Sequence, residues 1–163
     1  VHDSSSVTYP VFTEIAAPEV QNKLNGDFAI IAGPYLQNLA TGGCELDYTL
    51  TFVSEKFISM VFFGVLDEGE KEIFAKIPLN IDVQTGAQLA LGDVLNLRDA
   101  DLLPVLRLLT KKDKVDFSKG IPESWYYNGT NFVFCQRSET GEWLEATVAA
   151  SDLKKFLLKP ELF

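Results

Sequence analysis

Between Leu46 and Asp82 the chain runs through three apolar stretches joined by short polar turns. Leu46, Tyr48, Leu50 and Phe52 alternate with Asp47, Thr49 and Thr51, which is the pattern of a strand with one wet face. Ser54-Glu55-Lys56 is the first turn. Phe57 to Leu66 is apolar on both faces and reads as a central, covered strand. Asp67 to Lys71 is the second turn. Ile73, Ala75, Ile77, Leu79 and Ile81 then alternate with Phe74, Lys76, Pro78, Asn80 and Asp82. Pro78 lacks an N–H and moves that strand towards a sheet edge or a bulge. Turns this short can link only antiparallel neighbours, so the segment predicts a meander.

The flanks supply helices. Val20, Leu24, Phe28, Ile31 and Tyr35 form one apolar stripe of a helix that starts at Pro18 and is expected to kink or end at Gly33-Pro34. Before it, Val7 to Phe12 reads as an entry strand broken by Pro10. Asp99 or Asp101 can cap a helix bearing Leu102, Val105, Leu106 and Leu109, with Lys111, Lys112 and Lys114 near its C-terminal end. Asn128-Gly129 predicts a type I′ hairpin, with Tyr127 opposite Thr130 and Trp125 opposite Phe132. A last strand carries Leu144, Ala146 and Val148 on one face and Trp143, Glu145 and Thr147 on the other. Ser151 can cap a final helix with Leu153, Phe156 and Leu157, stopped by Pro160. Hairpin-linked strands with few helices argue an α+β fold, an antiparallel sheet with about three helices packed on it. At 163 residues, residues 7–163 are expected to form one such domain after a polar linker or disordered start, residues 1–6.

Composition excludes more than it assigns. The net charge is −9, and residues 1–110 hold 15 acidic against 6 basic side chains. Nucleic acid needs clustered Lys and Arg, so it is not an expected partner. An anionic face instead keeps a domain soluble and attracts cationic partners. The longest uncharged run, Phe28 to Cys44, is too short and too broken by Gly and Pro to cross a bilayer, and no membrane insertion by this domain is expected. The polar N-terminus lacks the apolar region of a signal peptide.

The same holds for chemistry. His2 is the single histidine, so Ser–His or Cys–His catalysis and histidine-rich metal sites have no basis. Cys44 and Cys135 can be either a disulfide or two buried thiols. Asn80-x-Asp82-x-Gln84 has calcium-loop spacing, but the twelfth position is Leu91, and the segment reads as a turn. No catalytic residue, cofactor or metal is assigned. Carboxylate pairs could come from Asp67, Glu68, Glu70 and Glu72, although acids in a hairpin turn are ordinarily solvated. Most of the aromatic residues read as core. Trp143 shares its face with Glu145 and Thr147, so it is either an exposed binding residue or packed against a helix. Asp67, Glu68, Glu70, Glu72 and Trp143 are thus the candidate binding residues.

The segment Asn80-Ile81-Asp82-Val83-Gln84-Thr85-Gly86-Ala87-Gln88-Leu89-Ala90-Leu91-Gly92-Asp93-Val94-Leu95 resembles the Asn-Phe-Asp-x-x-Thr-Gly-x-x-Leu-x-Leu-x-Asp-Leu-Phe stretch of a bacterial extracytoplasmic domain family. That family forms the outer half of RsiV-type anti-sigma factors and accompanies peptidoglycan deacetylase domains. The Tyr9-Pro10 entry, Phe57 to Phe63, Phe132 to Phe134 and Glu145 to Val148 fit its remainder. Many members carry a Gly-Gly-Ala-His loop where this chain reads Phe63-Gly64-Val65-Leu66-Asp67-Glu68-Gly69-Glu70. The resemblance implies a secreted or membrane-anchored location in the cell envelope. It also implies a non-catalytic binding or sensing role, with a cationic protein such as lysozyme, or a wall component, as partner. The alternatives are a carboxylate-based glycan hydrolase and a structural spacer beside a catalytic domain.

Overall fold

The computed structural model describes residues 5–15, 17–40, 42–67 and 72–163. The fold is α+β, and its strands divide between two sheets rather than one. The first sheet has the order β1 (Ser6–Val7), β2 (Cys44–Val53), β3 (Phe57–Asp67), β4 (Glu72–Asp82), β5 (Ala87–Gln88). Its central three strands form the antiparallel meander, and β1 joins the edge in parallel. The second sheet is antiparallel and has the order β6 (Ser124–Tyr127), β7 (Asn131–Arg137), β8 (Trp143–Ala149).

Each face of the meander has its own core. Helix α1 (Pro18–Asn38) sets Val20, Leu24, Phe28, Ala32 and Tyr35 against Leu46, Met60, Phe62 and Ile81. It runs on through Gly33-Pro34 instead of ending there. Pro34 removes only the hydrogen bond to the carbonyl of Ile30, which lies on the solvent face with Ile30 75% exposed. In the last turn Asn38 Nδ2 donates to the Pro34 carbonyl at 2.8 Å. On the other side, the short helix α2 (Leu91–Val94) and α3 (Leu102–Leu109) close over the second sheet. Leu95, Leu102 and Leu106 pack there with Phe57, Trp125, Phe132 and Phe134.

Several local expectations are corrected. The register of β2 on β3 slips between Leu50 and Phe52. This bulge turns Phe52 away from the α1 core and into the other one, against Tyr127 (ring centroids 5.0 Å apart) and Phe57 (5.9 Å). The Asn128-Gly129 turn is not type I′, because Gly129 has φ 91° and no non-glycine residue among those described, Asn128 included, has positive φ. The Asn128 carboxamide accepts from the N–H groups of Thr130 and Asn131, which moves the turn one residue along. Tyr127 therefore pairs with Phe132 and Trp125 with Phe134. A pairing shift of two leaves the same side chains on the core face. Asp101 begins α3 without a side-chain cap; its carboxylate reaches Lys155 Nζ at 2.9 Å instead, while Asp99 Oδ1 takes the Asp101 N–H. The helix expected after Ser151 is a 3-10 segment, Ala150–Phe156, with Leu153 and Phe156 buried and no cap from Ser151, and Pro160 opens a further 3-10 turn, Pro160–Leu162. The N-terminal strand is only Ser6–Val7, extended by one bond from Thr8 N–H to the Leu46 carbonyl. Cys44 and Cys135 are both free and buried. No described helix is long and apolar enough to cross a membrane.

Candidate functional site

The covered half of β3 stops at Phe63. Residues 57–62 are all buried, whereas Phe63 is 44% exposed. The register explains what surrounds it. Asp47, Phe63 and Lys76 lie abreast on β2, β3 and β4, and Glu45, Val65 and Phe74 form the next row. These residues share the sheet face opposite α1. The second sheet covers only the other end of that face. There Ser59 and Asn80 are buried; Ser59 Oγ accepts from Tyr127 N–H at 2.8 Å, and Asn80 Nδ2 donates to the Trp125 carbonyl at 2.7 Å. The uncovered end forms a groove floored by Phe63 and Phe74, with Phe74 50% exposed, and walled by Trp143. This part encloses about 510 Å³. A second part of about 670 Å³ continues past Phe74 and Trp143 along residues 140–145 to Lys114.

A polar cluster holds the wall to the floor. Lys76 Nζ is ion-paired with Glu145 Oε1 and stands 5.6 Å from the Phe63 ring centre and 5.4 Å from that of Tyr126. The Tyr126 hydroxyl donates to the same Glu145 oxygen at 3.0 Å, and Cys135 Sγ lies 3.9 Å from it. The side chain of Lys76 is only 11% exposed, so the pair is shielded from solvent screening on one side. Burial, then the charge and hydrogen bond of Glu145, raise the Tyr126 hydroxyl well above its ordinary value. Burial likewise pushes the Cys135 thiol up to about 12; Lys76 opposes this and Glu145 adds to it. Both groups stay neutral in the fold, so their contribution to stability is full below the ordinary thiol value of 9.0 and declines as pH rises towards 12. A thiol held neutral is also a poor nucleophile. Native protein at pH 8 should therefore leave Cys135 unmodified by iodoacetamide, with labelling appearing only in denaturant; mass spectrometry of the labelled peptides checks this.

The acids along the groove are less constrained. Glu45 and Asp47 are exposed, and neither has an ion pair among the described residues. Of the residues expected from sequence to bind, Trp143 lies in the groove wall. It is half-buried, and its Nε1–H is covered yet has no acceptor among the described residues. Asp67 ends β3 half-buried, pairs with the exposed Glu72 that starts β4, and packs its Cβ close to Gly43. Glu68 and Glu70 lie outside the described residues. The calcium-like segment is a turn in which Asp82 Oδ1 accepts from the N–H groups of Gln84 and Thr85. Among the described residues no cluster of three or more His, Cys, Asp or Glu could hold a metal.

Sequence reasoning missed Phe63, Phe74 and Lys76, because a strand apolar on both faces reads as covered throughout. The available signal was that Phe74 and Lys76 alternate with the apolar set of their own strand.

No protein-family model matches the chain, and no curated protein is similar to it in sequence. Its fold is nevertheless shared. A DUF3298 family protein from Pseudomonas aeruginosa PAO1 superposes with a TM-score of 0.55 at 14% identity, over 82% of this chain and 71% of that one. A DUF3298 member from Bacteroides fragilis NCTC 9343 gives 0.55 at 14% identity, over 86% of this chain and 66% of its own. Neither carries a catalytic name.

Proposed function

We propose that this domain is a non-catalytic binding or sensing module of the bacterial cell envelope, and that residues 7–163 act as one unit. In this reading the groove captures a cationic protein. The supporting observation is the uncovered aromatic floor, Phe63 and Phe74, set beside Glu45 and Asp47. Exposed aromatic rings attract both apolar and cationic groups. Lys76 is already neutralised by Glu145, so the charge offered to a ligand is acidic. The overall charge of −9 adds long-range attraction for a basic partner. The envelope location rests on the family resemblance of residues 80–95.

Lysozyme is the first partner to test, by titration calorimetry at low and moderate salt. Binding should weaken as salt rises, since exposed charges are screened beyond about 8–10 Å at physiological ionic strength. Phe74→Ala and Asp47→Asn should each weaken it at least several-fold without lowering thermal stability. Absence of heat and of a gel shift at both salt concentrations removes lysozyme as the ligand.

A further inference from the structure

The second sheet has two edges, and they are finished differently. The β6 edge is closed by the side chains of Ser59 and Asn80, which take the Tyr127 N–H and the Trp125 carbonyl. The β8 edge has no such cover along its first half. Its phase follows from the two ends of the β7–β8 ladder. Ser138 N–H donates to the Glu142 carbonyl, and Ala150 N–H donates to the Thr130 carbonyl. In an antiparallel pair, residues alternate between bonding the neighbour and facing away from it. The even-numbered residues of β8 thus bond β7, and Trp143, Glu145 and Thr147 present their N–H and C=O groups outward. Thr147 confirms the phase, because its N–H is taken by Asp113 Oδ2 at 3.3 Å. The N–H groups of Trp143 and Glu145 have no partner among the described residues, and both residues line the 670 Å³ part of the groove.

We propose that an extended segment of the partner, bearing lysine or arginine, adds to this sheet as a fourth strand along Trp143 to Glu145. This rests on the binding role argued above and gives that role its geometry. Main-chain pairing supplies affinity in such additions, and alternate side chains supply selectivity. The charge of the occupant follows from Glu142 at the edge and from Glu45 and Asp47 across the groove, since Glu145 is already paired with Lys76. A second copy of this chain is the poorer fit. It would set the same acids against themselves in two molecules of net charge −9.

The probe is a blocked heptapeptide of alternating lysine and valine, compared with a twin N-methylated at the valines. Amide exchange followed by NMR is the first readout. In the free protein the amides of Trp143 and Glu145 should exchange faster than those of Leu144 and Ala146, and the peptide should slow them at least tenfold. The N-methylated twin should bind at least tenfold more weakly. Trp143→Pro and Trp143→Ala form the second comparison. Both lose the indole, but only proline loses the outward N–H, a position where an edge strand tolerates it. Trp143→Pro should bind at least tenfold more weakly than Trp143→Ala. If exchange at Ala146 and Val148 shows that Trp143→Pro has unfolded β8, the N-methylated peptide decides. Equal affinity within both pairs overturns the proposal. So does protection of Trp143 and Glu145 that depends on protein concentration alone, which would assign the edge to a second copy. Binding of peptide or lysozyme without protection at these two amides removes strand addition and leaves the binding role standing. No binding of either probe removes both.

Discussion

Replacing Asn80 by alanine should cost about 2–4 kcal/mol of folding stability, because it leaves two buried polar groups without partners at about 1–3 kcal/mol each. Asn80 is 4% exposed and Ser59 is fully buried. Ser59 Oγ donates to Asn80 Oδ1 at 2.7 Å and accepts from Tyr127 N–H, while Asn80 Nδ2 donates to the Trp125 carbonyl. Removing Asn80 orphans the Ser59 hydroxyl hydrogen and that carbonyl. Ser59→Ala orphans Asn80 Oδ1 and the Tyr127 N–H, at a similar cost. The double variant orphans only the two main-chain groups. The combined loss should thus fall short of the sum by about 1–3 kcal/mol, the signature of a direct pair in a double-mutant cycle. Urea denaturation of the four proteins measures this. Strict additivity, or a loss below about 1 kcal/mol for Asn80→Ala, would mean that water replaces the missing groups. The same network holds β6 against the meander, so a weakened junction should also loosen the groove between the sheets.

The meander was legible because its signals are local. Alternation in 46–52 and 73–81, with polar turns between, fixes strand direction and neighbours, and the stripe from Val20 to Tyr35 fixes α1. What misled was long-range or backbone-specific. Nothing in Leu50-Thr51-Phe52 announces a bulge, yet that slip moves Phe52 from one core to the other. The Asn128 carboxamide competes for backbone N–H groups, an option that the Asn-Gly signature alone does not weigh. The division into two sheets depends on Ser59 and Asn80 meeting β6, residues 45 to 68 positions apart. The groove was half legible. Trp143 stood out because its strand places it with polar residues. Phe63 and Phe74 did not, since apolar residues on a strand give no sign of where the cover above them ends.

Gly64→Ala should be about as damaging as a serious core overpacking, about 1–3 kcal/mol, although alanine fits strands no worse than glycine. The reason lies across the α1 interface. A Cβ at position 64 would stand 2.0 Å from the Tyr35 hydroxyl oxygen and 2.4 Å from the ring carbon that bears it. Tyr35 is 4% exposed and belongs to the buried stripe of α1, so its ring cannot swing into solvent without leaving the core. The desolvated hydroxyl, whose ionisation burial pushes above the ordinary 10.0, is thus seated over bare backbone. Tyr35→Leu shortens the side chain at this contact and should itself cost about 1–3 kcal/mol by leaving a cavity under the helix. Combined with Gly64→Ala, it should lose less than the sum, because the new methyl enters the space that the ring vacated. Thermal and urea denaturation of the three variants test the pairing. A harmless Gly64→Ala would show that α1 can slide on the sheet. Failure of Tyr35→Leu to relieve the alanine would place the clash in the backbone of β3. Because Gly64 is flanked by Phe63 and Val65 on the groove face, a shift of β3 forced by the methyl should also weaken ligand binding. The leucine rescue should restore it.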